Sequence, residues 1–511
     1  MTVLSLKRCF EAFFPGRNFR AARRGFSAAV MAGSVWASVF LCTAARAEES
    51  PSDASPEQVA EVPQRTIGPM QQAIPGFLQS TVGPPSFGPP YGTTHLLGDW
   101  GGAQPWLQNH GVYLALNVYE SLSGNPSGGK RQTQTIAGQV GSTLDIDWQK
   151  LLGAGDWAKD FWLHMLVVNG HGNNLSRLMG DNGNQVQQIY GARGNVVAHL
   201  VDAYFEKAWF GHKIDWATGW IPTGTFFNNS PWMCRFVNVW LCGNMTPTKY
   251  LRGGRDWPSG NLATIVRLMP TPQFYVMGGI FAVSPHNYNG GISGWSWAQS
   301  GLGKIASQGE VGWIPEFGKQ HLIGHYKFGG LYDNSRYDDL YSDVNGNPWV
   351  VTGLPARRQS GQTSLWAIAD QMLIRNGPGD LNGLVLLAGW SYASGQTSQM
   401  RNHVQGGFTQ SGALWHRPDD NIGFMYQWAQ FSRAAIRSQQ AAQAYGLPLP
   451  GANFGVPYGV QGHQEIYEAY YAAGIVNGLS VQPDFQYVHH LGGTNVFKDA
   501  VVLTLVVSAS L

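Results

Sequence analysis

The sequence predicts an all-β protein: a transmembrane antiparallel β-barrel of about sixteen strands, with loops folded into the lumen and a short periplasmic N-terminal helix. Three observations predict it. Only 13% of the 511 residues are charged while another 13% are aromatic, alongside 66 Gly and 20 Trp. Beyond the N-terminus no apolar run approaches the roughly 20 residues that a membrane helix needs. From about Gly111 onward, apolar and polar residues alternate in short segments divided by Gly, Pro, Asn and Asp, which is the period of strands with two different faces. A membrane barrel shows lipid only every second side chain, so an overall hydrophobic content of 43% is compatible with one. A secreted β-sandwich would share this composition.

Residues 1–47 read as a signal peptide. Arg17, Arg20, Arg23 and Arg24 precede an apolar segment from Ser27 to Thr43, and Ala45-Arg46-Ala47 supplies the small residues of a cleavage site. Arg23-Arg24-Gly25-Phe26 also resembles a twin-arginine signal, but that route carries folded proteins and a barrel inserts from an unfolded chain. The ordinary secretory route is therefore favoured. Residues 48–96, rich in Pro, Gln, Ser and Gly, cannot bury a core and read as a flexible periplasmic extension, a spacer towards peptidoglycan or a partner. Residues 97–511 are expected to form the barrel. Within them Gly98 to Asn109 should make a turn and the short helix, since Gly101 and Gly102 permit a tight backbone.

Strands are expected near 112–120, 138–149, 160–169, 198–209, 213–220, 261–269, 273–283, 307–315, 320–329, 363–374, 383–393, 408–416, 421–431, 464–475, 478–488 and 500–511. The long connections at 170–197, 221–260, 284–306, 330–362 and 432–463 are then extracellular or folded inward. The last strand is the most explicit. Val501, Leu503, Leu505, Val507, Ala509 and Leu511 share one face, and Thr504, Ser508 and Ser510 the other, so one face suits lipid and the other water.

A net charge of +2, with Lys and Arg scattered, gives no nucleic-acid footprint and no polybasic anchor. Catalytic readings are weak. Asp145 with Asp147 reads as a polar lumen stripe rather than a glycosidase pair. Asp343-Val344-Asn345-Gly346-Asn347 starts like a calcium loop, but Leu354 stands where its bidentate Glu belongs, so turn chemistry explains it better. His489-His490 should point to opposite strand faces. No metal site and no cofactor are expected. Cys9 and Cys42 leave with the signal, and Cys234 and Cys242, alone in an exported chain, favour one disulfide.

Several stretches resemble the OprB-type carbohydrate-selective porins. Leu97-Gly98-Asp99-Trp100-Gly101-Gly102, the segment Cys234-Arg235-Phe236-Val237-Asn238 through Cys242-Gly243, and Phe274-Tyr275 through Pro285 resemble the family's signatures. Ala369-Asp370-Gln371-Met372, Arg417-Pro418-Asp419-Asp420 and Gln482-Pro483-Asp484-Phe485-Gln486-Tyr487 follow in family order. The resemblance implies a barrel of the outer membrane, with loops narrowing its pore, that passes glucose and related small sugars and is not an enzyme. Trp220, Phe226 and Ile265 depart from residues the family pattern carries, so the preferred sugar stays open, and with it a general-diffusion or polysaccharide-exit barrel. Porins occur as single chains and as homo-oligomers, and the sequence does not choose.

A sugar is a ring of hydroxyls with apolar faces, so a selective pore wants charged groups beside aromatic platforms. The cysteine loop offers Trp232, Arg235 and Trp240, followed by Arg255 and Trp257. Alternation places Arg267 in the lumen with Asn261 and favours a lumenal Glu206, with Asp202 and Tyr204 exchanging faces around it; Glu120, near a strand end, completes the candidates. The mature chain should start near Glu48 and migrate on unboiled gels as a compact band that heating converts to a slower one, since a closed ladder resists detergent. Mobility indifferent to heating would count against the barrel.

Overall fold

The structure, a computed structural model, describes residues 95–187, 195–230, 232–242, 244–283, 294–295, 304–377, 382–412, 417, 420–451 and 455–511. The expected signal peptide and nearly all of the expected extension, up to residue 94, lie outside the described residues, as does most of the connection 284–306.

Residues 96–102 turn and lead through helix α1 (Ala103–Asn109) into the barrel. The first half of the wall is β1 (Val112–Ser127), β2 (Gln134–Asp147), β3 (Phe161–Gly172), β4 (Val196–Trp209), β5 (Ile214–Ile221), β6 (Asn261–Thr271), β7 (Phe274–Ala282) and β8 (Ile305–Trp313). The two-residue β9 (Glu316–Phe317) only extends the ladder at the foot of β10 (Leu322–Asp343). Then come β11 (Ala356–Arg375), β12 (Gly383–Ala393), β13 (Met400–Ser411), β14 (Asn421–Phe431), β15 (His463–Val476), β16 (Leu479–His489) and β17 (Ala500–Ser510). Each long strand pairs antiparallel with its sequence neighbours, and β17 returns to β1, with Leu505 opposite Leu122 and Val507 opposite Glu120. Sixteen long strands thus close on themselves, and among the described residues no long strand of the wall lacks a partner on either side.

Closure works because the two faces of every strand differ. On β17, Leu503, Leu505 and Val507 are exposed on the outside while Thr504, Ser508 and Ser510 are buried inside. Val266, Leu268, Val276, Ile280, Val311, Leu386 and Phe485 continue the outer apolar band, and Thr143, Gln308, Gln427 and Gln486 the polar interior. Turns are short at one end, as at Asn477-Gly478, where Gly478 has φ 75° and a side chain would strike the backbone nitrogen of Leu96 at 2.2 Å. Loops are long at the other end, the extracellular one by the usual asymmetry of such barrels.

The observed strands match the expected ones in number and order; β1 runs on to Ser127 rather than ending near 120, and two further differences concern whole segments. The connection 330–362 is mostly strand: β10 and β11 rise beyond the lipid as a hairpin whose outward residues, Asn334, Arg336 and Asp338, are polar, so the apolar period that reveals a membrane strand is missing there. The strand expected at 408–416 runs Met400–Ser411, because Gly406 and Gly407 interrupt its alternation. At the hairpin tip, Asp343 accepts hydrogen bonds from the backbone of Asn345 at 2.8 Å and Asn347 at 2.9 Å, which is turn chemistry. Helix α2 (Arg433–Ala444), started by Ser432 capping Ala435, leans on this hairpin with Arg437 over the ring of Tyr341 at 4.0 Å.

Leu505 sits midway along the exposed face of β17, so Leu505→Arg should cost on the order of 2 to 4 kcal/mol of folding stability in lipid vesicles. Thr504→Arg points into the lumen beside its register partner Asp484 and should cost far less, as urea titration of the folded band will show. Equal costs would mean that the faces are reversed.

Candidate functional site

The segment between β5 and β6, residues 222–260, does not stay outside. Its sequence is unusually apolar for a loop, and Phe226, Phe227, Trp232, Met233, Phe236, Leu241 and Met245 are buried in one cluster with wall residues Tyr204, Ile265, Tyr275, Trp366 and Met425. The loop fills the lumen. Cys234 and Cys242 form a disulfide that pins its middle into a small ring.

Polar atoms fasten this plug to the wall on many sides. Glu310 of β8 accepts from the backbone of Asn228 at 2.9 Å and the indole of Trp366 at 2.8 Å, while its other oxygen accepts from the hydroxyl of Tyr275 at 2.7 Å. Lys327 of β10 donates to the carbonyl of Asn229 at 2.9 Å, and Ser230 donates to Asp370 of β11 at 3.2 Å. Glu468 of β15 accepts from the backbone of Val237 at 2.5 Å and Asn238 at 3.2 Å, and Asn238 donates to Gln486 of β16 at 2.9 Å. A buried backbone group without a partner would cost about 1–3 kcal/mol, so wall and loop each satisfy what the other exposes.

Arg235 lies inside this frame. Its guanidinium donates to Thr409 at 3.1 Å and Ser411 at 2.7 Å on β13, and its carbon centre sits 4.6 Å from the ring of Trp232. Trp240 is fully buried, edge-on to His403 at 5.5 Å between ring centres. Arg255 is buried in the same loop, and Trp257 packs against Leu166, Val168 and Val201 on the wall. A second described loop also turns inward: Asp181 accepts from Gln464 of β15 at 2.7 Å, and Gln486 donates to the carbonyl of Val186 at 3.0 Å. Burial pushes the Asp181 carboxyl up to about 6, against the hydrogen bonds from Gly183, Gln464 and Asn184 that favour its charged form.

The wall strands β2 to β6 carry the other charged group. Glu206 and Arg267 both face inward and are buried. Arg267 donates to Asp215 at 2.5 and 3.1 Å, and His164 stands 2.7 Å from Asp145 and 3.3 Å from Glu206. Asp202, Tyr204 and Glu206 all face inward rather than exchanging faces, because residues two apart on a strand share a side.

Glu120 is the other correction. The strand does not end near it: β1 runs to Ser127, and the inward set is Tyr119, Ser121 and Ser123, which turns Glu120 outward beside Leu122. There it pairs with His171 at 2.7 Å and lines no lumen. Sequence reasoning missed His164, Asp215, Glu310, Lys327 and Glu468. Their only signal was inward parity on a strand, which marks a lumenal side chain without saying what it meets.

Residues 131–510 match the carbohydrate-selective porin family, OprB. The chain belongs to this family. Porin B of Pseudomonas aeruginosa is 27% identical over 414 residues, covering 80% of this chain and 89% of that protein. A putative porin of Acinetobacter baylyi, QuiX, is 24% identical over 434 residues, covering 80% of this chain and 91% of that one. Among solved structures, the high-pH structure of Pseudomonas putida OprB superposes with a TM-score of 0.74 at 27% identity, covering 82% of this chain and 99% of its own. This OprB-family barrel accordingly resides in the bacterial outer membrane.

Asp215→Asn should expose how the wall group holds together, because it leaves the Arg267 guanidinium buried opposite a neutral amide. A loss of about 3 to 5 kcal/mol in urea unfolding is expected, with the double change Asp215→Leu and Arg267→Met recovering most of it. An unaltered midpoint for Asp215→Asn would show that water, not the carboxylate, solvates Arg267.

Proposed function

We propose that residues 97–511 act as a channel for passive entry of glucose and related small neutral sugars, with no catalytic step. The observation that carries the reading is the disulfide-pinned loop lying across the lumen with a guanidinium against an indole. Arg235 offers fixed donors to sugar hydroxyls and the partly buried Trp257 an aromatic face to the ring, while the buried Trp232 stacks against Arg235 and the buried Trp240 packs against His403. Arg255, Glu206 and Arg267 complete the polar lining, and Glu120 has no part in it. A floppy loop would average its donors over many positions, so the disulfide and wall bonds supply the preorganisation that selectivity needs. Binding stays weak, because a solute held tightly does not leave the far side.

The test is ion current through single channels in planar bilayers. Glucose should block the current reversibly at millimolar concentrations, a ceiling of affinity near 4 kcal/mol. Arg235→Ala should weaken the block several-fold, and Cys234→Ser with Cys242→Ser should raise conductance while the barrel still inserts. Equal permeation of amino acids of the same size in swelling vesicles would instead indicate a general-diffusion pore, and passage only of long glycans an exit channel.

A further inference from the structure

Where the extracellular ends of β15 and β16 meet the approach to β17, three imidazoles come together. His489 closes β16, but His490 leaves the strand with φ 53°, so the two rings do not point apart and their centres lie 3.8 Å from each other. His463, the first residue of β15, brings the third ring. Its Nε2 stands 3.1 Å from Nδ1 of His490 and 3.5 Å from Oε1 of Glu465.

The groups behind these atoms are anchored. Oε2 of Glu465 accepts from the hydroxyls of Tyr426 and Tyr467, both at 3.2 Å, which leaves Oε1 turned towards His463. Asp499 accepts from the backbone of His490 at 3.1 Å, from Tyr487 at 2.8 Å and, at Nδ1, from His489 at 2.7 Å. Asp499 therefore fixes the backbone of His490 and the ring of His489, against which the ring of His490 lies.

We propose that this cluster binds a first-row transition-metal dication such as Zn2+, Ni2+ or Cu2+, ligated by Nε2 of His463 and Nδ1 of His490. Metal–nitrogen bonds of about 2.0 to 2.1 Å place two such ligands roughly 3 to 3.4 Å apart, the separation already present. Each ring keeps its single proton on the nitrogen facing away, so the ion takes the place of the proton shared between the facing pair. Glu465 and Asp499 offset the charge. Among the described residues no group of three His, Cys, Asp or Glu side chains is placed to hold a metal ion, and the proposed ligation rests on the two facing imidazole nitrogens. Water completes it, with Glu465 in reach. The side chain of His463 is 39% exposed, which leaves the site open to solvent. Imidazole pairs suit these borderline ions and not Ca2+ or Mg2+.

The experiment titrates Cu2+ into the metal-stripped full-length mature protein in detergent and follows electron paramagnetic resonance, with Zn2+ as competitor. One equivalent should bind with coupling to two imidazole nitrogens. His463→Ala and His490→Ala should each weaken binding at least about tenfold while the heat-modifiable band persists, with a smaller loss for Glu465→Gln. The double variant His463→Ala/His490→Ala binding as tightly as the parent, or a parent spectrum with one nitrogen or none, would overturn the site, because other described histidines such as His171 and His321 each pair with a lone carboxylate.

Discussion

The ladder between β17 and β1 is the contact on which everything else rests. Lipid offers no partner to an amide or a carbonyl, so a wall of strands survives in a membrane only when its first and last members pair. Closure then dictates the side chains. Each strand must be apolar outside, as at Leu503, Leu505 and Val507, and sixteen long strands enclose a space too wide for their own inward side chains to fill.

That space creates the second constraint. The inner wall carries Glu310, Asp370, Glu468 and Lys327, groups that need partners wherever water is excluded. The loop 222–260 supplies them with its backbone at Asn228, Val237 and Asn238, while its aromatic residues pack between. Loop and wall are therefore one structure. The disulfide adds to this by removing freedom from the open chain, worth roughly 2 to 3 kcal/mol for so short a ring on an entropy model.

Departures from alternation are informative in the same terms. Glu120 sits on the outer face between Val118 and Leu122 of β1, and it compensates for the setting by bonding His171 of β3. The hairpin of β10 and β11 loses its apolar face once it passes the lipid boundary. Both were hard to read in the chain, because a polar residue on a strand looks the same whether it faces a lumen, a partner side chain or water above the membrane.

The barrel was legible in the sequence because lipid imposes a local, two-residue period that each strand obeys independently, as the alternating burial of β8 and β17 shows. The inward parity of Glu206 and Arg267 followed from the same period, as did the cysteine pair from the chemistry of the compartment. What the period cannot carry is who meets whom across the lumen. The pairing of Arg235 with Thr409 and Ser411, of Arg267 with Asp215, and of His463 with His490 joins residues whose register is set by closure and whose loops bend through dihedral angles that no alternation records. Those contacts exist only once sixteen strands have fixed the distances between their faces, and so only the tertiary structure decided them.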